Sequence, residues 1–176
     1  YVCDVGQNHI EEISQVQGGE NLGWPLKEGS FGFYQNDEQP GYAYQASGAE
    51  LPEGLTDPIL EYDHDEGMAI ICGFTYSGDV SKLDGKFLFG DWYSTELERG
   101  RILYQGEPDL IAEVPVETGL AGRRLLGFAQ TDSGEVLVLS NESGVPSGTT
   151  GRVSQMLAIE NHPPVASASA SPNSVD

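Results

Sequence analysis

The chain has 176 residues, with 8 Lys+Arg against 28 Asp+Glu, a formal net charge of −20. That charge repels nucleic acid and anionic lipid, and no apolar run approaches the roughly 20 residues of a membrane span, so phosphate-backbone binding and membrane insertion are not expected. The 23 Gly and 10 Pro argue against a helix bundle, while 38% hydrophobic residues suffice to fill a core.

Taken in chain order, the signals are short strands separated by turns. The opening residues Tyr1-Val2-Cys3-Asp4 read as mid-strand, although a helical turn is also hinted near the start. Residues 12–16 alternate polar and apolar side chains before Gly18-Gly19 and predict a strand. The stretch 28–66 is long, aromatic and rich in Gly and Pro, and a connection of that length is usually functional or disordered. Strands are predicted at 68–76, at 86–92 after the turn Leu83-Asp84-Gly85, at 101–104, and at 110–116 after Glu107-Pro108-Asp109. Residues 125–130 and 135–139 flank Thr131-Asp132-Ser133-Gly134 as a hairpin, and 152–159 form the last strand. A helical turn is otherwise hinted only at 94–97. Strands at this spacing predict an all-β sandwich, barrel or propeller. The turn-then-strand shape of Leu83-Asp84-Gly85-Lys86-Phe87 recurs at Asp132-Ser133-Gly134-Glu135-Val136, which suggests blades.

Cys3 and Cys72 are the only cysteines. They are compatible with one disulfide or with two buried thiols, and not with a zinc cluster. From Asn161 the sequence reads Asn-His-Pro-Pro-Val-Ala and continues in Ser and Ala, an extended linker by composition. This segment, 161–176, also resembles the opening strand of the immunoglobulin-like PKD domains of extracellular bacterial proteins. It suggests a chain taken from a longer, secreted protein.

A denser signature lies at Asp4-Val5-Gly6-Gln7-Asn8, Glu11-Glu12-Ile13 and Asn21-Leu22-Gly23-Trp24-Pro25. Further segments follow in the same order: Glu61-Tyr62-Asp63-His64, Ile70 to Gly78, Leu83 to Trp92, Gly100-Arg101-Ile102-Leu103, and Leu125 to Leu139. Together they resemble the soluble sugar dehydrogenases that use pyrroloquinoline quinone (PQQ), a six-bladed β-propeller family whose fold the hedgehog-interacting protein shares. A blade takes roughly 40–50 residues, so residues 1–160 amount to a partial β-propeller of about 2.5–3 blades. The resemblance implies the C-terminal half of such a ring, with the remaining blades upstream or on another chain.

The resemblance also implies a chemistry. In the family, a hydride leaves a sugar's anomeric carbon for the quinone, and calcium polarises the quinone oxygens. The two main-chain carbonyls that hold this calcium match Gly6 and Gln7, Gln7 standing where the family usually has Pro. The reading without metal is a tight turn whose Asp4 and Asn8 bond their own backbone. Arg124, or Arg123 in a shifted register, matches an arginine that contacts the cofactor; otherwise the two are solvated charges. Glu98 stands where glucose dehydrogenases carry a lysine, reversing that charge. His64, on the approach to a channel-facing strand, is a candidate cofactor contact, base or ligand, or else a loop histidine with a satisfied hydrogen bond. Asp63, Asp65 and Glu66 are acidic neighbours without the spacing of a dedicated calcium loop. The family's catalytic histidine lies upstream of the matching region, so no catalytic base is assigned here, and His9 and His162 look incidental.

The aromatic stretch, with Trp24, Phe31, Phe33, Tyr34, Tyr42 and Tyr44, either stacks on sugars or packs its own small core. Asn141-Glu142-Ser143 is a glycosylation sequon in a eukaryotic secretory setting. The leading expectation is part of a secreted, extracellular or periplasmic, PQQ- and calcium-dependent sugar dehydrogenase passing electrons to an external acceptor. The alternatives are a non-catalytic propeller recognising a glycan or protein, and a structural module of an extracellular multidomain protein.

Overall fold

The computed structural model describes residues 1–36, 39–47, 50–106, 110–114 and 119–157. Its strands are β1 (Val2–Asp4), β2 (Ile10–Ser14), β3 (Lys27–Glu28), β4 (Phe31–Asn36), β5 (Gln39–Tyr44), β6 (Leu60–Asp63), β7 (Ile70–Thr75), β8 (Phe87–Ser94), β9 (Arg99–Gln105), β10 (Ile111–Glu113), β11 (Arg124–Gln130), β12 (Val136–Asn141) and β13 (Arg152–Gln155). One 3₁₀ turn, Ser81–Leu83, lies between β7 and β8. The strands form four antiparallel sheets: β1-β2-β6, β3-β4-β5, the meander β7-β8-β9-β10, and β11-β12-β13. None of them closes on itself among the described residues.

The four-stranded meander sits in the middle because its strands are apolar on both faces. Successive side chains of a strand point to opposite sides. Along β8, Phe87 and Phe89 therefore turn toward Ile13, Leu60 and Tyr62 of the β1-β2-β6 sheet. Leu88, between them, turns the other way and packs with Tyr76, Leu83 and Val136. Ile102 of β9 meets Leu125 and Val138 on that same side. Gly90 has no room for a side chain, since a Cβ there would run into Leu125 and the carbonyl of Arg101. Each fully buried Leu or Phe contributes about 1.5–3 kcal/mol, so the two interfaces are the main source of stability.

A covalent link crosses the first interface. Cys3 of β1 and Cys72 of β7 form a disulfide with an S–S distance of 2.08 Å, which settles the two-thiol alternative. On the far side, Leu137, Leu139 and Val153 occupy the face of β11-β12-β13 opposite its core contacts, and Val153 is 65% exposed. The β3-β4-β5 sheet rests on the outside of β1-β2-β6, where the N–H and hydroxyl of Ser30 both donate to Glu61 at 2.7 Å.

The all-β expectation agrees with this architecture. Four local expectations do not. Residues 28–66 are no bare connection but supply β4, β5 and β6 and the end of β3. Ser94 belongs to β8 and residues 95–98 form a turn between β8 and β9 without a helix, closed by Glu98 at a left-handed φ of 51°. The chain's start is the strand β1, without a helical turn. Strand β2 begins two residues earlier than the alternation suggests, because Glu11 and Glu12 are inside the ladder. The linker 161–176, His162, and parts of the strands predicted at 110–116 and 152–159 lie outside the described residues.

Candidate functional site

The loop after β1 is held by a single carboxylate. Oε1 of the buried Glu28 accepts the backbone N–H groups of Asn8, His9 and Ile10 at 3.0, 2.6 and 2.9 Å. This leaves no room at position 6, where a Cβ would meet the Ile10 carbonyl and lie 2.7 Å from Glu28 Oε1. Gly6 is thus required by a close approach, and the Asn8 amide ties the loop onward to the Gly41 carbonyl at 3.2 Å.

Gly6 and Gln7 open on a recess of about 230 Å³ whose walls include Glu12, Trp24, Lys27 and Glu28. Its charge is mostly negative. Glu12 and Glu28 each have one buried carboxylate oxygen without a hydrogen-bond partner among the described residues. Burial, reinforced by the charges of Asp4 and Glu61, pushes the Glu12 carboxyl up to about 7, against the pull of Lys27. The Lys27 ammonium is itself buried and paired with Asp57.

Two more buried carboxylates organise the approach to β7. Glu11 is wholly buried, with Oε1 2.9 Å from His64 Nε2 and Oε2 accepting the Ile70 N–H at 2.7 Å. Burial raises its carboxyl above the ordinary range, and the Ile70 and His64 hydrogen bonds pull it back. Asp91 accepts the N–H groups of Met68, Ala69 and Tyr93 and the hydroxyl of Tyr62. Burial, with Asp91 beside it, drives the Tyr62 phenol far above its usual value, so it stays protonated as a donor. His64 is therefore an anchored loop residue with a satisfied hydrogen bond, its side chain 34% exposed.

The two arginines have separate jobs. Arg123 is buried, donating to Ser140 Oγ at 3.1 Å, to the Ser140 carbonyl at 3.2 Å and to the Thr150 carbonyl. Arg124 lies with its guanidinium 4.2 Å from the Tyr93 ring centroid and donates to the Glu142 carbonyl at 2.9 Å. Its Nε is buried and unpartnered among the described residues. Arg123 is thus committed to the frame of the β11-β12 edge.

Strand pairing places these groups at one end of the layers. Asp4 pairs with Glu12, Ile10 with Asp63, Ile70 with Asp91, Asp91 with Arg101, and Arg124 with Asn141. Gly6, Gln7, His64 and Arg124 all follow from that end. Only Gly6 and Gln7 share the recess, and His64 and Arg124 are not among its walls. No group of three or more His, Cys, Asp or Glu side chains is arranged to hold a metal among the described residues, Asp63, Asp65 and Glu66 included. A site built from main-chain carbonyls is a different donor set. Asn141 of the sequon is buried, its Nδ2 donating to the Val145 carbonyl and its Oδ1 accepting the Gly144 N–H.

Sequence reasoning assigned no role to Glu11, Glu12, Glu28, Lys27 or Asp91. The one available signal is the Glu11-Glu12 pair inside a strand, since alternation sends one of two adjacent residues to each face.

The fold and this end define an all-β protein of stacked, disulfide-joined antiparallel sheets with a carboxylate-rich recess beside a glycine turn. The sequence matches no family model.

Proposed function

We propose that the three stacked sheets are consecutive blades of a β-propeller of the soluble PQQ sugar dehydrogenase type, completed by blades upstream or on another chain. The whole protein then oxidises an aldose or related carbohydrate outside the cytoplasm and passes the electrons to an external acceptor. The observation that carries this reading is Arg124: its buried Nε, without a partner among the described residues, lies at the same end as Gly6 and Gln7. A desolvated guanidinium donor suits the carboxylates of PQQ. The glycine turn, clamped by Glu28 beside an anionic recess, suits a hard cation held by oxygen.

When bound, PQQ supplies the hydride acceptor and calcium the polarising charge. Gly6 and Gln7 would offer carbonyl oxygens to the ion, and Arg124 would orient the cofactor through its carboxylates. His64, fixed by Glu11, stands at the rim of the same end. The open apolar face of Leu137, Leu139 and Val153 suits burial against a further blade. The Cys3–Cys72 disulfide suits an oxidising compartment.

Glu98 favours a second reading, a non-catalytic propeller that binds a glycan or protein. It is exposed on the turn where the glucose dehydrogenases have a lysine. Equilibrium dialysis of the full protein against PQQ, with calcium and with a chelator, separates the two. Calcium-dependent retention together with dye-linked oxidation across an aldose panel supports the enzyme. Absence of PQQ retention at millimolar calcium removes it.

A further inference from the structure

The β3-β4-β5 sheet has two unlike faces. Phe33 points inward, 5% exposed, with the Trp24 ring 5.1 Å away. The opposite face carries Tyr34 and Tyr42, directly paired across β4 and β5, and Tyr44, which pairs with Gly32. Tyr44 lies down on that glycine: a Cβ at Gly32 would sit 2.5 Å from its ring. Tyr34 and Tyr42 are 53% exposed each, with ring centroids 5.4 Å apart, and Tyr42 meets Tyr44 edge-on at 6.3 Å. A cross-strand aromatic pair that served only the sheet would gain by burying its faces. Here half of each ring is left outside.

We infer that Tyr34 and Tyr42, with Tyr44 edge-on to Tyr42, form a binding platform for a neutral, soluble glycan chain. Pyranose rings present C–H faces that stack on aromatic rings, while hydroxyls at their rim stay hydrated. The 5.4 Å spacing is close to the advance of one sugar along a β-linked chain, so the rings address successive units. Their planes are inclined by 38°, and those of Tyr42 and Tyr44 by 60°, which suits a twisted chain in solution and not the flat face of a crystalline polymer. The net charge of −20 opposes anionic polysaccharides and nucleic acids, whose bases would otherwise stack on the same rings. This platform goes beyond the proposed oxidation site and needs neither PQQ nor calcium.

The test is affinity electrophoresis of the full protein through native gels containing hydroxyethyl cellulose, barley β-glucan or laminarin, without added cofactor or metal. Wild type is expected to be retarded by at least one of these and not sedimented by microcrystalline cellulose. Tyr34→Ala combined with Tyr42→Ala should weaken retardation about ten-fold or more. Tyr34→Phe combined with Tyr42→Phe keeps the rings and should keep binding, which separates ring loss from misfolding. Unretarded wild type in all three gels, or equal retardation of the double alanine variant, overturns the inference. So does concentration-dependent self-association that the alanine pair abolishes, because the face would then belong to a second copy of the chain.

Discussion

Glu28 receives the backbone N–H of His9 at 2.6 Å while its neighbours in sequence, Asn8 and Ile10, donate to the same oxygen. One side chain from the inserted sheet thus shapes the turn that carries Gly6 and Gln7. Glu28→Ala would leave three N–H groups without an acceptor, and is expected to cost about 3–5 kcal/mol. Glu28→Gln keeps an oxygen but loses the charge, and should cost about 1–2 kcal/mol. Urea denaturation of both variants measures this. An alanine variant as stable as wild type would show that the turn holds itself.

The disulfide makes a second prediction. Cys3 and Cys72 are separated by 69 positions, so the bridge closes a long loop between two sheets. By chain entropy, such a loop contributes about 4 kcal/mol, and native bridges typically give 2–4. Cys3→Ser with Cys72→Ser should lower the thermal midpoint by the corresponding amount, and dithiothreitol should reproduce the shift in wild type alone. A reductant effect of equal size in the double serine variant would point to some other cause.

Much of the frame was legible in the sequence because a strand buried on both sides reads as an unbroken apolar run bounded by turn residues. Phe87, Leu88 and Phe89 announce a central strand, and Asp132-Ser133-Gly134 announces the hairpin of β11 and β12. The insertion was illegible for the same physical reason: β4 and β5 have Gly32 and Gly41 where large rings from neighbouring positions cover the backbone, so the hydrophobic pattern is broken by design of the packing. At the candidate site, Gly6 and Arg124 could be picked out by type. Their surroundings could not, since Glu28 acts on a loop 18 to 20 residues away and Glu11 on Ile70 across 59. Adjacent Arg123 and Arg124 have the same chemistry in the sequence and differ only in which face of the sheet edge they meet.

That difference is testable. Arg123→Ala removes buried donors from Ser140 and Thr150, and is expected to cost about 2–4 kcal/mol in denaturant unfolding. Arg124→Ala loses a partly exposed contact with Tyr93, about 0.5–1 kcal/mol, yet should weaken PQQ binding about ten-fold or more. Arg124→Lys should not restore binding fully, because an ammonium lacks the planar fork. If both alanine variants lose stability equally and bind PQQ alike, the division of labour between them is wrong.

Glu12 gives the chain a pH dependence of definite sign. Its carboxyl ionises near 4.5 when unfolded and is pushed up to about 7 in the fold, burial being the main cause. Between those values the native state holds a proton that the unfolded state has released. Stability from this group is therefore complete below about 4.5 and falls as pH rises through 7, since the state binding more protons is favoured at low pH. At about 1.36 kcal/mol per pH unit, the loss approaches 3 kcal/mol above neutrality. Glu12→Gln keeps the shape and an acceptor without the ionisation. Its midpoint should match wild type near pH 4 and exceed it at pH 8, and the difference curve isolates Glu12 from every other titrating group. Lys27→Met should extend the wild-type decline to higher pH, because the cation that partly offsets the Glu12 charge is removed. A difference curve that stays flat from pH 5 to 8 would mean that Glu12 ionises as freely in the folded recess as in water.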